Sequence, residues 1–203
     1  SAQQAIQKAQ TYIESGYEYV VDIDLKQYFD TINQDKLMYL LTRTIKDKRL
    51  LKLINRFVKC GVSENGVVTK SVIGVPQGGP LSPILSNIYL NELDKELETR
   101  GLKFVRYADD IQIYVKSERA GQRVLERITK YLDKTLKVEV NLEKSAVRKY
   151  NHTKFLGFSF YKHKGVIKIS IHPKSRLKFK NRIREILKRN RGRSIELVIK
   201  QLN

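Results

Sequence analysis

Hydrophobic positions along the chain switch repeatedly between a helical and an extended period, and the switches mark out its elements. In residues 2–15 Ala and Ile recur at helical spacing, so an amphipathic helix is expected, closed by Gly16. From Tyr19 to Leu25 the period becomes two. Tyr19, Val21, Ile23 and Leu25 share one face of a strand, and Val20, Asp22 and Asp24 share the other. Helical spacing returns at 34–45 and at about 47–59, and Glu64-Asn65-Gly66 between Val62 and Val67-Val68 signals a hairpin turn. A long helix is expected from Ile84 to about Thr99, with Pro83 suited to its first turn and Ile84, Leu85, Ile88, Leu93 and Leu97 on its core face. Residues 104–115 read as a hairpin with Asp109 and Asp110 at its tip. After that turn Ile111, Ile113 and Val115 face one way, and Gln112, Tyr114 and Lys116 the other. A helix at 118–135 rests on Val124, Leu125, Ile128 and Leu132, and a polar connection follows at 141–145. Segments 155–161 and 166–171 form a second expected hairpin, turned at Lys164-Gly165. The fold class is therefore α+β, with a small mixed or antiparallel sheet packed on helices.

Two features of this pattern carry chemistry. Adjacent aspartates repel each other, and the acidic face of the 19–25 strand would leave charge unpaired at a cost of several kcal/mol in a central strand. A hard cation such as Mg²⁺ or Mn²⁺ answers both, held by carboxylates and substrate phosphates. Plain turn chemistry at Ala108-Asp109-Asp110 and a solvent-facing edge strand at 19–25 are the alternatives when each stretch stands alone. Asp24 and the Asp109–Asp110 pair are 85 or more residues apart in the chain. If the two strands meet, three carboxylates converge where two ions about 3.5–4 Å apart would align an in-line displacement. The segment Gly74-Val75-Pro76-Gln77-Gly78-Gly79-Pro80-Leu81-Ser82-Pro83 adds a rigid loop whose glycines allow close approach of backbone to a ligand, or simply tight local geometry.

Charge sharpens the picture. Lys and Arg number 40 against 21 Asp and Glu, a formal net charge of +19 over 203 residues, which points to a polyanionic partner, nucleic acid before membrane. No apolar run nears the roughly 20 residues of a spanning helix, so no membrane role is expected. Cys60 is the sole cysteine, which excludes an internal disulfide and a Cys-based zinc site. With no signal-peptide pattern, an intracellular, cytoplasmic setting fits. Residues 172–193 hold ten Lys or Arg against Glu185, over an apolar stripe of Phe179, Ile183, Ile186 and Leu187. That stretch suits a nucleic-acid backbone as well as a solvated face.

Four blocks together resemble the palm of a reverse transcriptase, most of all those encoded by group II introns. They are Asp24-Leu25-Lys26-Gln27-Tyr28-Phe29-Asp30, the loop 74–83, Tyr107-Ala108-Asp109-Asp110 and Phe155-Leu156-Gly157-Phe158. The resemblance covers about residues 1–165 and implies roles. Asp24, Asp109 and Asp110 would be catalytic carboxylates and ligands of Mg²⁺ or Mn²⁺. Phe29 would be the bulky gate against a ribose 2′-OH. Leu25, Lys26, Gln77, Gly78 and Lys144 would lie about the incoming dNTP. Phe155, Leu156 and Gly157 would form the primer grip, and Lys174, Lys178 and Arg182 would meet the nucleic-acid backbone. Residues 1–170 would be palm with residual fingers elements at about 34–73, and 171–203 the start of a helical thumb. Asp22 lies on the acidic face, although the family pattern names only Asp24.

The implied function is an RNA-directed DNA polymerase acting on an RNA template and a DNA primer, with intron RNA a further partner. A non-catalytic maturase scaffold that binds intron RNA is the alternative, and an RNA-directed RNA polymerase is disfavoured by Phe29. The chain opens directly into a helix, so it reads as a fragment of a larger protein. On that reading, polymerisation by the fragment alone would be weak or absent, and self-association through uncovered apolar surface is expected.

Overall fold

The computed structural model describes all residues except 61, 65–66, 70–72, 77, 189–191, 193 and 203. Helix α1, Ala2–Glu14, starts at a capping box formed by Ser1 and Gln4 and leads to strand β1, Tyr19–Ile23. A single-turn helix α2, Tyr28–Thr31, comes next, then α3, Gln34–Thr44, and α4, Lys48–Lys59. Strands β2, Val62–Glu64, and β3, Val67–Thr69, pair antiparallel; the expected turn residues Asn65 and Gly66 lie outside the described residues. Helix α5, Ser82–Thr99, precedes β4, Lys103–Tyr107, and β5, Asp110–Val115. Helix α6, Glu118–Tyr131, runs into a π-helical turn, Leu132–Leu136. Strand β6, Ala146–Lys149, the hairpin of β7, Phe158–His163, and β8, Val166–Ile171, and helices α7, Pro173–Ile186, and α8, Ile195–Leu202, complete the chain.

The central sheet has the order β4-β5-β1-β6, with every pair antiparallel. Strand β1 is therefore internal, and the edge-strand reading of its acidic residues falls. Because side chains alternate across a strand, Val21, Ile23, Ile111, Ile113 and Val115 point to one side. There they pack with Leu85, Tyr89, Leu90, Leu93 and Leu97 of α5 and Ile128 and Leu132 from α6 and its extension. The other side is covered only in part. Val20 and Tyr114 are buried beneath Ala5, Ile6, Ala9 and Ile13 of α1 and Phe160 and Ile167 of the β7–β8 hairpin. The sheet thus lies between two apolar layers, and its acidic residues emerge where the second layer stops.

Several sequence expectations shift in detail. Gln112 and Tyr114 were expected on an outward polar face, yet both are buried, because α1 and the second hairpin close over them. Ile84 was placed on the core face of α5 but is 59% exposed; Ser86, Tyr89 and Leu90 join the expected Leu85, Leu93 and Leu97 on that face. Phe179 and Leu187 of the expected apolar stripe are also exposed, and only Ile186 of that stripe is buried. The second hairpin begins at Phe158, not Phe155, since Leu156 and Gly157 adopt positive φ and make a turn of their own.

Gly121 shows how tightly α6 sits on the sheet. A Cβ at this position would lie 2.5 Å from Val147 Cγ1 of β6. Gly121→Ala should therefore cost about 1–3 kcal/mol in urea unfolding, and adding Val147→Ala should recover part of that loss. An unchanged midpoint in Gly121→Ala would show that the helix moves off the sheet freely.

Candidate active site

The β1–β5 register decides where the acids meet. Ile23 pairs with Ile111, so one step further along Asp24 lies opposite Asp110. Asp22 pairs with Gln112 and sits on the same face as Asp24. Tyr107 pairs with Asp110 across the β4–β5 turn, leaving Ala108, at φ 55°, and Asp109 as its two tip residues. Four carboxylates from two strands and one turn thereby share the open end of the sheet.

Their electrostatics record the crowding. Burial, then the charges of Asp109 and Asp24, push the Asp110 carboxyl above its usual range, and Lys154 opposes them. Asp22 is pushed up to about 6, chiefly by burial and further by Asp110 and Asp24; the Gln112 hydrogen bond and Arg148 act the other way. Cations reach the cluster only loosely. Lys144 Nζ stands 3.9 Å from Asp24 Oδ1, and Arg148 Nη1 stands 3.9 Å from Asp22 Oδ2.

The scaffold around the acids is held more firmly. The Asp24 N–H donates to Ser145 Oγ at 2.9 Å, and its carbonyl accepts from the Asn141 N–H at 2.9 Å. Arg106, nearly buried, donates from Nε to Asp94 Oδ1 at 2.8 Å and from Nη2 to Asp94 Oδ2. Its Nη1 donates to Asn87 Oδ1 at 2.8 Å and to the Ala108 carbonyl at 2.9 Å. One guanidinium therefore ties the aspartate turn to α5 through a bidentate fork, a geometry that lysine cannot copy. Beneath, Tyr114 OH donates to Gln112 Oε1 at 2.8 Å, and Gln112 Nε2 donates to Asp22 Oδ1 and to the Lys154 carbonyl, both at 3.4 Å.

The other sequence candidates scatter around this end. Leu25 is buried in the main core, so only its backbone is available to a ligand. Lys26 Nζ pairs with Glu139 at 3.0 Å. Phe29 is half-buried with its ring 5.5 Å from that of Tyr28, and its carbonyl accepts from the Val75 N–H at 2.7 Å. A Cβ on Gly74 would come within 2.7 Å of the Asp30 carbonyl, so this glycine lets the loop pass directly against α2. Gly78 is exposed at φ +76°, while Gln77 lies outside the described residues. Phe155 is buried; Leu156 and Gly157 form a left-handed turn whose Gly157 carbonyl accepts from the His172 N–H at 3.0 Å. Lys174, Lys178 and Arg182 stand away from the acids, lining a shallow groove along α7.

Sequence reasoning missed Arg106, Lys154 and the β6 residue Arg148. Arg106 carried a usable signal: an arginine three residues before two aspartates, on the strand that presents them. Lys154 carried none, because only the fold of the 150–158 turn brings it beside Asp110.

Comparisons with known proteins agree with this geometry. The family model described as reverse transcriptase (RNA-dependent DNA polymerase) matches residues 1–160. The chain belongs to the reverse transcriptase family. It is 30% identical over 198 residues to protein YkfC of Escherichia coli, covering 81% of this chain and 51% of that protein. It is 38% identical over 136 residues to the group II intron-encoded protein LtrA of Lactococcus lactis, covering 66% of this chain and 22% of LtrA. The chain thus spans about half, or less, of these relatives' length. Its fold is shared with apo telomerase from Candida tropicalis, at a TM-score of 0.63 and 16% identity over 86% of this chain and 36% of the telomerase. Reverse transcriptases use divalent metal ions. Among the described residues, no three His, Cys, Asp or Glu side chains are already gathered about an ion position. The donor set is nonetheless all carboxylate, the chemistry a hard divalent ion takes, and the mutual repulsion at Asp110 is what such an ion would relieve.

The raised Asp22 carboxyl has a consequence for stability. Its folded value of about 6 exceeds the ordinary carboxylate value of about 3.9. Its contribution is therefore full below about pH 4 and is lost as pH rises through about 6. In metal-free buffer, Asp22→Asn should gain on the order of 1 kcal/mol over the parent at about pH 7.5 relative to about pH 4, the figure allowing for solvent screening at this partly exposed side chain. Parallel urea-stability profiles for the two proteins across that range would refute the assignment.

Proposed function

We propose that this chain is the palm of an RNA-directed DNA polymerase of the group II intron-encoded type. Fingers elements occupy about residues 34–73, and 171–203 begin a basic thumb. One observation carries the reading: strand register sets Asp24 opposite Asp110, with Asp109 in the adjoining turn, at the uncovered end of an internal pair of strands.

Asp24, Asp109 and Asp110 would hold Mg²⁺ or Mn²⁺ there. When bound, the two ions lower the charge barrier for attack by a primer 3′-hydroxyl and for departure of pyrophosphate. The protein's own part is placement. Arg106 fixes the Asp109–Asp110 turn, and Ser145 and Asn141 fix the backbone of Asp24. Phe29, wedged against Tyr28 and backed by the 73–76 loop, closes the space where a 2′-hydroxyl would sit. Lys144, 68% exposed, stands free to swing from Asp24 toward a triphosphate and pass a proton to the leaving group. The Leu25 backbone, Lys26, Gln77 and Gly78 surround the nucleotide. The Phe155-Leu156-Gly157 turn steadies the primer end, and Lys174, Lys178 and Arg182 follow the backbone of the duplex leaving the cleft.

Primer extension tests the proposal: RNA template, DNA primer, dNTPs and Mg²⁺. Asp109→Ala should lower the rate about 10³-fold or more, since several kcal/mol of charge stabilisation is lost. Phe29→Ala should extend with both dNTPs and rNTPs. Equal rates for the parent and Asp109→Ala would overturn the catalytic reading, and unchanged sugar preference in Phe29→Ala would remove the gate.

A further inference from the structure

The sheet has two sides, and the chemistry proposed above uses one. Helix α6 covers the other, turning Ile128, with Leu132 and Leu136 of its π-helical extension, into the core beside Val21, Ile113 and Val115. Directly opposite that buried stripe stand Arg119, Arg123, Arg127, Lys130 and Lys134, all exposed. Their spacing of four, four, three and four residues keeps them on one face of a helix of 3.6 residues per turn. Arg119 to Lys130 alone spans about 16 Å at 1.5 Å per residue. Successive charges are separated by roughly 6 Å along the axis, on the scale of the step between phosphates of one strand.

Most of these cations are not held in ion pairs with neighbouring acids. Lys130 pairs with Glu126 at 2.6 Å, both side chains 65% exposed. Among the described residues, Arg119, Arg123, Arg127 and Lys134 have no salt bridge. At the far end of the row the surface dips into a hollow of about 520 Å³, lined by Arg100, Arg127, Lys130, Tyr131, Lys134 and Thr135. Arg100, paired with Glu96, brings a further cation from the end of α5. A solvated helix face needs neither a single-file row opposite the core nor a concave cationic end to it.

We propose that this outer ridge of α6 is a second RNA-binding surface, which grips the phosphate backbone of folded RNA outside the catalytic cleft. The choice of RNA rests on the polymerase reading: a template engaged on one side of the sheet holds its own flanking structure at high local concentration around the palm. Contacts of this kind are to phosphate and are insensitive to base sequence. The ridge would then hold the enzyme on a structured template, while the carboxylates on the opposite side act on one strand of it.

The test is binding of a blunt-ended, loop-closed RNA hairpin that offers no extendable end, measured by fluorescence anisotropy from about 50 to 200 mM salt. The variant Arg119→Gln/Arg123→Gln/Arg127→Gln/Lys134→Gln changes only exposed side chains without ion pairs, so it should fold; its unfolding midpoint is checked alongside. It should bind the hairpin about tenfold or more weakly at low salt, with a log–log salt slope shallower by about three. Its extension rate on a saturating short RNA–DNA primer–template should equal the parent's. An unchanged hairpin affinity and slope would overturn the proposal. So would a loss confined to vesicles containing phosphatidylserine, whereas a similar loss with a DNA hairpin of the same sequence is what contacts to phosphate predict. Where parent and variant alike fail to extend, as weak polymerisation by a fragment would give, a hairpin-binding loss in the same samples still supports the ridge and an unchanged one overturns it.

Discussion

Like-charge repulsion at one end of a four-stranded sheet is the constraint from which the rest of this molecule follows. Asp22, Asp24 and Asp110 are forced onto one face by the two-residue period of strands and by the register of β1 with β5, and Asp109 joins them from the turn. In a chain with a surplus of basic residues, Lys144 and Arg148 reach Asp24 and Asp22 only at 3.9 Å. Burial first, and the neighbouring carboxylates after it, keep the carboxyls of Asp22 and Asp110 raised. An all-carboxylate donor set of this kind is the chemistry that a hard divalent cation takes.

Holding such a site together falls to its frame. The apolar layer under α5 and α6 anchors one face of the strands, and α1 with the β7–β8 hairpin anchors the apolar end of the other. Between the buried Tyr114 and the acids, Gln112 makes a graded boundary: it accepts from Tyr114 on the dry side and donates to Asp22 on the wet side. Arg106 does for the turn what the register does for the strands, binding Ala108 to α5 through Asn87 and Asp94. Charge is thus paired closely beside the site and only loosely within it.

Much of this was legible in the chain itself. The long elements carried clean periods, and Asp24 with Asp109–Asp110 stood out as acids on strands otherwise built for burial. What stayed hidden depends on what covers what. Nothing local distinguishes Tyr114, buried by a distant helix, from Lys116, left in water. Strand β6 escaped notice because Ala146-Val147-Arg148-Lys149 is short and half charged, becoming a strand only by pairing with β1. Asp22 could be placed on the acidic face, but its half-buried position beneath Gln112 is a product of the second hairpin's packing. Lys154 became interpretable only once the turn that carries it had a position in space beside Asp110.

Paramagnetic relaxation by Mn²⁺ tests the central claim most directly, because it asks where the ion goes with no dependence on turnover. Titrated into ¹⁵N-labelled protein, Mn²⁺ should first broaden the amides of Asp24, Asp109 and Asp110 and their strand neighbours, and Asp24→Asn should weaken that broadening. Broadening centred elsewhere, or unchanged by Asp24→Asn, would contradict a carboxylate site assembled by the β1–β5 register.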